Sequence, residues 1–224
     1  MVFVTSTSPR VSITLADDCP AMREGLGRLI DDECDLMVTS SAATAAELRT
    51  VISRDPPDVL VMELVLADCD GLALIKDLLA MKSDLRIVVF TAQPDEVYAM
   101  RCLRAGARGY VSKRESVIVL LRAIRETAAG GIIIPPGVSH EMFAAEERPR
   151  RDGSGIAAQL TDRELQVFRL AGLARPTRVI AENLGVSVKT VESHRGNIKN
   201  KLALDSHAEL VACAARWLRE NGGA

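Results

Sequence analysis

Five short apolar runs recur along the first 130 residues: VSITLA (11–16), LMVTSSA (36–42), DVLVM (58–62), LRIVVF (85–90) and RGYVS (108–112). Each has the length and character of a strand. After them come AMREGLGRLI (21–30), TAAELRTVIS (44–53), LALIKDLLAM (72–81), EVYAMRCLRAG (96–106) and VIVLLRAIRETAAGG (117–131). These place apolar residues three and four apart, as a helix with one buried face does. Strand and helix patterns in alternation predict an α/β fold: a doubly wound, five-stranded parallel sheet of flavodoxin-like form, spanning 11–129 behind a tail at 1–10.

The pattern then breaks. GGIIIPPGVS pairs glycines and prolines, and EERPRRDGSG is charged and poor in apolar residues, so 130–159 reads as a linker with a short helix around SHEMFAAEE (139–147). From 160 to 224 the chain is all helical: LTDRELQVFRLAG, TRVIAENLG, SVKTVESHRGNIKNKLA and SHAELVACAARWLRE. Thr161 followed by Glu164 is a capping box, and Ser187 and Ser206 stand where caps belong.

Composition narrows the picture. A length of 224 residues suits two domains, and 3 % aromatics leave an aliphatic core. No apolar stretch approaches the roughly 20 residues of a membrane span, and the first ten residues lack a secretory signal, which implies a cytoplasmic protein without a membrane partner. The five cysteines form no C-x-x-C pair, so they read as reduced thiols and not as a zinc or disulfide framework. The net charge of −2 divides into −5 before Leu160 and +3 after it, so the back half is the one suited to a polyanion.

In a parallel sheet, ligands sit at the carboxyl ends of the strands. The first strand delivers Asp17 and Asp18 there, the third Glu63, the fourth Thr91 and the fifth Lys113. Crowded carboxylates repel unless a cation sits among them, and hard oxygen ligands favour Mg²⁺, with Asp17, Asp18 and Glu63 as its candidate ligands. Thr91 and Lys113 could hold phosphoryl oxygens. Any one of these residues in a solvated loop would be unremarked; four strand ends converging is the informative feature.

On those residues, 11–129 resembles the receiver domain of bacterial two-component response regulators. The resemblance implies that Asp17 and Asp18 help bind Mg²⁺ and that the place of Glu63 belongs to an Asp phosphorylated by a histidine kinase. It also implies that Thr91 and Lys113 contact the phosphoryl group and that Tyr110 is an aromatic that reorients with it. Gly71 sets the register of Glu63. The departures are Glu63 itself, Ala67 where a Pro is usual, and Asp68 beside it. Glu reaches about 1.5 Å further than Asp, and a misplacement of about 1 Å can cost on the order of a hundredfold in transfer. Poor phosphorylation is therefore expected. The extra reach also lets Glu63 approach Thr91 and Lys113, so it either imitates phosphate in part, with partner binding as another route of control, or merely neutralises Lys113.

The segment TRVIAENLGVSVKTVESHRGNIKNKL reads as a helix-turn-helix whose second helix enters a major groove. With LTDREL before it and the apolar helix after it, it resembles the LuxR-type DNA-binding domain of NarL/FixJ-class regulators, departing at Ala174 and Pro176. The resemblance implies that Glu192, Ser193 and Gly196 face double-stranded DNA, with Lys189, Thr190, Arg195 and Asn197 nearby. Lys199, Lys201, Thr177 and Arg178 would meet phosphates, and His194 would pack against the domain. Leu210, Val211, Ala214 and Trp217 stand at helical spacing in the last helix; part of that stripe closes the small domain's core, and the resemblance implies that this helix also forms a homodimer contact. The expected function is a DNA-binding transcriptional regulator and not an enzyme, since there is no P-loop and no D-x-D acid pair after Glu63. The alternative is an adaptor that binds another protein and no DNA.

Overall fold

The structure is a computed structural model that describes residues 10–66, 69–135 and 155–221. Ala67, Asp68, most of the expected tail and linker, and the short helix expected at 139–147 lie outside the described residues. The chain divides into two compact units, Met1–Thr91 with Cys102–Ile134 and Ala92–Arg101 with Pro135–Ala224.

The α/β elements are β1 (Val11–Ala16), α1 (Pro20–Asp31), β2 (Leu36–Ala42), α2 (Ala45–Arg54), β3 (Val59–Met62), α3 (Gly71–Met81), β4 (Ile87–Thr91), α4 (Asp95–Ala105), β5 (Gly109–Ser112) and α5 (Val117–Ala128). The sheet order is β2-β1-β3-β4-β5, and every pairing is parallel. All four residues of β3 and all five of β4 are buried, which is why both runs are apolar without alternation. The winding reverses at β1 and β3, so the crevice for a ligand opens at their carboxyl ends. Beneath it, Ile13, Leu15, Val59, Val61, Val88, Phe90, Leu120 and Ile124 form the aliphatic core.

After Glu63 a small hairpin pairs Val65–Leu66 with Cys69–Asp70. It closes because the Gly71 amide donates to the Leu64 carbonyl at 2.9 Å. A Cβ at residue 71 would lie 2.3 Å from that same oxygen, so no larger residue fits without moving backbone. Gly71 thereby fixes Glu63 one residue past β3.

The helical elements are α6 (Ile156–Gln159), α7 (Asp162–Gly172), α8 (Thr177–Leu184), α9 (Val188–Leu202) and α10 (His207–Glu220). The last residues of the expected linker are thus helical, because Ala157 and Leu160 are buried against the bundle. Thr161 and Glu164 form a reciprocal capping box on α7; Ser187 caps α9 through the Thr190 amide and Ser206 caps α10 through the Glu209 amide. Gly185 ends α8 in the left-handed conformation (φ 62°) and turns the chain into α9.

Inside this bundle the Phe168 and Trp217 rings meet edge to face at 6.0 Å. That geometry shows which part of the expected stripe closes the domain's core and so is not available for a dimer contact. Leu210 and Ala214 are wholly buried and Trp217 is 6 % exposed, all within the helical unit, where they seat α10 on α7. Of the four, Val211 alone is half-buried. An apolar stripe at helical spacing served the domain's own core first, since a bundle this small has few other large side chains to fill it. Among the described residues no helix is long and apolar enough to cross a membrane.

Candidate functional site

Backbone ladders set the cleft before any side chain acts. The Glu63 amide donates to the Ala16 carbonyl at 2.7 Å, placing it beside Asp17, and the Lys113 amide donates to the Thr91 carbonyl at 2.7 Å. Side chains far apart in sequence therefore leave the sheet from adjacent positions.

They converge as expected, with one exception. Lys113 Nζ lies 2.7 Å from Glu63 Oε2 and 2.5 Å from Asp17 Oδ2. Glu63 Oε1 accepts hydrogen bonds from the Leu64 amide (2.7 Å), the Val65 amide (3.1 Å) and the Thr91 hydroxyl. Asp17 Oδ1 accepts from the Cys19 amide at 2.8 Å. Glu63, Asp17 and Thr91 are buried, as is Tyr110, whereas Asp18 is exposed. Burial alone would lower the Lys113 pKa, but hydrogen bonds to Asp17 and Glu63 outweigh it and hold the pKa above its ordinary value.

Sequence reading missed two contributors. Phe90, one residue before Thr91, presents its ring 5.8 Å from Lys113 Nζ, within cation–π range. Arg23, on the first turns of α1, donates to the Asp17 carbonyl and lines the same crevice with Asp17 and Glu63. The only sequence signal for Arg23 was its place four residues after Cys19, the residue that caps α1.

The expected Mg²⁺ ligands do not fit that task in this arrangement. Each oxygen of Asp17 and Glu63 already accepts a hydrogen bond or pairs with Lys113, and Asp18 stands apart in solvent. Among the described residues no group of three or more His, Cys, Asp or Glu side chains could hold a metal.

On the helix-turn-helix, Lys189, Glu192, Ser193, Asn197, Arg178 and Lys201 are exposed, and Thr177, Thr190, Gly196, Lys199 and His194 are half-buried. Arg195 is different: it is 7 % exposed, and its guanidinium donates to the Thr177 hydroxyl and to Glu192 at 3.3 Å. It ties α9 to α8 inside the domain, so of the residues expected near the groove-facing set Arg195 has its guanidinium committed to Thr177 and Glu192. Lys201 is also engaged, pairing at 2.6 Å with the buried Glu164 of the capping box. Burial would raise the Glu164 pKa, but Lys201 and the Thr161 cap outweigh it and hold the pKa below the ordinary carboxylate value.

A receiver-type cleft and a helix-turn-helix on one chain define a two-domain signal-responsive regulator, and known proteins agree. The response regulator receiver domain model matches residues 13–125, and the model for the luxR family of bacterial regulatory proteins matches residues 158–214. A putative transcriptional regulator of Pseudomonas aeruginosa is 32 % identical over 91 % of this chain and 97 % of its own length. The transcriptional activator protein ExaE of Pseudomonas putida is 31 % identical over 91 % of this chain and 95 % of its own. Among solved structures, RcsB of Salmonella enterica serovar Typhimurium, bound to a promoter in the presence of phosphomimetic BeF3−, aligns with a TM-score of 0.72. It is 22 % identical and matches over 92 % of this chain and 99 % of that one, a likeness of fold. The chain belongs to the NarL/FixJ-type response regulators: it is a DNA-binding transcriptional regulator of the LuxR family.

Proposed function

We propose that this regulator is held in an active-like form by Glu63 and is phosphorylated poorly, if a histidine kinase addresses it at all. The observation that carries the reading is the position of the Glu63 carboxylate. It engages the Thr91 hydroxyl and the Lys113 ammonium together, the two groups that the receiver resemblance assigns to phosphate. Oε1 already accepts three hydrogen bonds and Oε2 faces Lys113, so an in-line attack on phosphorus would have to proceed from an oxygen held by these contacts.

The mimicry is partial. A carboxylate carries one charge and two oxygens, against about −1.5 to −2 charge and three acceptor oxygens for a phosphate. DNA contact falls to the open face of α9, with Glu192, Ser193 and Gly196 toward bases, Lys189, Thr190 and Asn197 nearby, and Arg178, Thr177, Lys199 and Lys201 toward phosphates. Glu192 suits cytosine N4, and Gly196 limits readout there to shape. Two copies would bind two half-sites, through exposed positions of α10 and not through its buried stripe. The protein acts in the cytoplasm.

The test compares wild type with Glu63→Asp, each with and without a small phosphodonor and Mg²⁺, for phosphate uptake and DNA affinity. Wild type is expected to bind DNA unaided and to take up no phosphate, and the Asp variant to become donor-dependent. Wild type that binds only after donor treatment overturns the reading.

A further inference from the structure

We propose that the cleft of this receiver is a metal-free latch: Lys113 supplies the positive charge that a divalent cation would bring, and Mg²⁺ is excluded at rest. The proposal rests on the reading of Glu63 given above for what the cleft does, and extends it to how the cleft is neutralised.

The argument is one of charge and of free oxygens. Two buried carboxylates, Asp17 and Glu63, sit close enough for one ammonium to bridge them at 2.5 and 2.7 Å. Without a cation they would repel across a poorly solvated crevice. Mg²⁺ is the usual answer to such repulsion, but it needs six oxygen ligands in near-octahedral array at about 2.0–2.1 Å. Here Asp17 Oδ1 is held by the Cys19 amide, and Glu63 Oε1 by two amides and the Thr91 hydroxyl. The two remaining oxygens face Lys113.

A dication could reach them only by driving the ammonium out, against its own repulsion by Lys113 and against the attraction of the Phe90 ring for the ammonium. Arg23, already donating to the Asp17 carbonyl at the same crevice, adds a second positive charge that opposes entry. Asp18 is exposed and offers a single carboxylate, too little to retain the ion. The extra methylene of Glu63 is what lets its carboxylate reach Lys113 and Thr91 at once. The sequence change that weakens phosphorylation and the loss of the metal are then one event.

Free Mn²⁺ in water, read from its six-line paramagnetic resonance signal, is a probe independent of phosphorylation and of DNA. With the full chain, wild type is expected to leave the signal undiminished into the millimolar range. Lys113→Met keeps the length of the side chain and removes its charge, and should tighten Mn²⁺ binding by at least about tenfold. Glu63→Asp, whose carboxylate falls short of Lys113, should also gain binding and serves if the Met variant melts early by circular dichroism. A signal depleted by wild type, or no gain in either variant, overturns the latch.

The same samples, assayed on DNA without donor, separate the two proposals. Wild type that takes Mn²⁺ yet binds DNA unaided defeats the latch alone. Wild type that excludes Mn²⁺ yet needs donor for DNA leaves the latch standing and defeats the active-like reading.

Discussion

Two lysine–carboxylate pairs of nearly the same length occupy the two units and do different work. Lys113 meets Glu63 at 2.7 Å in the sheet crevice, and Lys201 meets Glu164 at 2.6 Å in the helical bundle. Lys113 comes from the far end of another strand, carries 15 % side-chain exposure and bridges a second acid, Asp17. Nothing local requires it there; the topology of the sheet delivers it to a ligand crevice. Glu164, by contrast, first closes the cap of its own helix with Thr161 and only then accepts Lys201 from α9, whose side chain is 38 % exposed. The same chemistry is a binding device where strand ends converge and a bracket where a helix begins. Proximity of opposite charges does not assign function; the element that delivers them does.

The largest effect should come from the bundle. Trp217→Ala should destabilise the helical unit by about 3–5 kcal/mol, because the ring packs on Phe168 in the core. Circular dichroism during urea unfolding should show that loss with DNA binding lost alongside. A variant that stayed fully folded and lost only self-association would restore the dimer-stripe expectation.

Next, Glu164→Ala removes a reciprocal cap and an ion pair together, for about 1–3 kcal/mol, with thermal melts as the readout. Glu63→Gln should leave the melting temperature closer to wild type yet weaken donor-free DNA binding, measured by gel shift. Equal behaviour of the two variants in both assays would erase the distinction between bracket and device.

Solution pH separates the pairs in opposite directions. The folded pKa of Glu164 is below its ordinary 4.5, so its stabilisation is complete above about that pH and disappears as pH falls through the lower folded value. The folded pKa of Lys113 is above 10.5, so its contribution is complete below that pH and is lost as pH rises through the higher value. Acid should therefore remove the Glu164 contribution to the bundle, and strong alkali the Lys113 contribution to the crevice. Fluorescence of Trp217, the only tryptophan, tracks the bundle through an acid titration.

The smallest effect concerns DNA. Lys199→Ala should lower affinity about evenly across sequences and reduce the salt slope by about 1, as a gel-shift salt series would show. Arg195→Ala, in contrast, should lower thermal stability, because its guanidinium braces Thr177 and Glu192 inside the domain.

The strand and helix periods of 11–129, the cap signals at Thr161, Ser187 and Ser206, and the cluster of Glu63, Thr91 and Lys113 were all legible in the sequence. They depend on local repeat and on where parallel strands end, and both are written residue by residue. Gly71 was legible as a register mark through the resemblance, and the structure supplied the reason: its backbone approach to Leu64 tolerates no side chain.

What the order of residues left open was which partner each charge and each apolar face would take. Whether Glu63 would face solvent or reach Lys113, whether Asp18 would join Asp17, whether Arg195 would point at a groove or at Thr177, and whether the Trp217 stripe would seek a second copy or Phe168 were decided only by packing. Those outcomes depend on distances between segments tens of residues apart, which periodicity does not encode and the closed three-dimensional chain does.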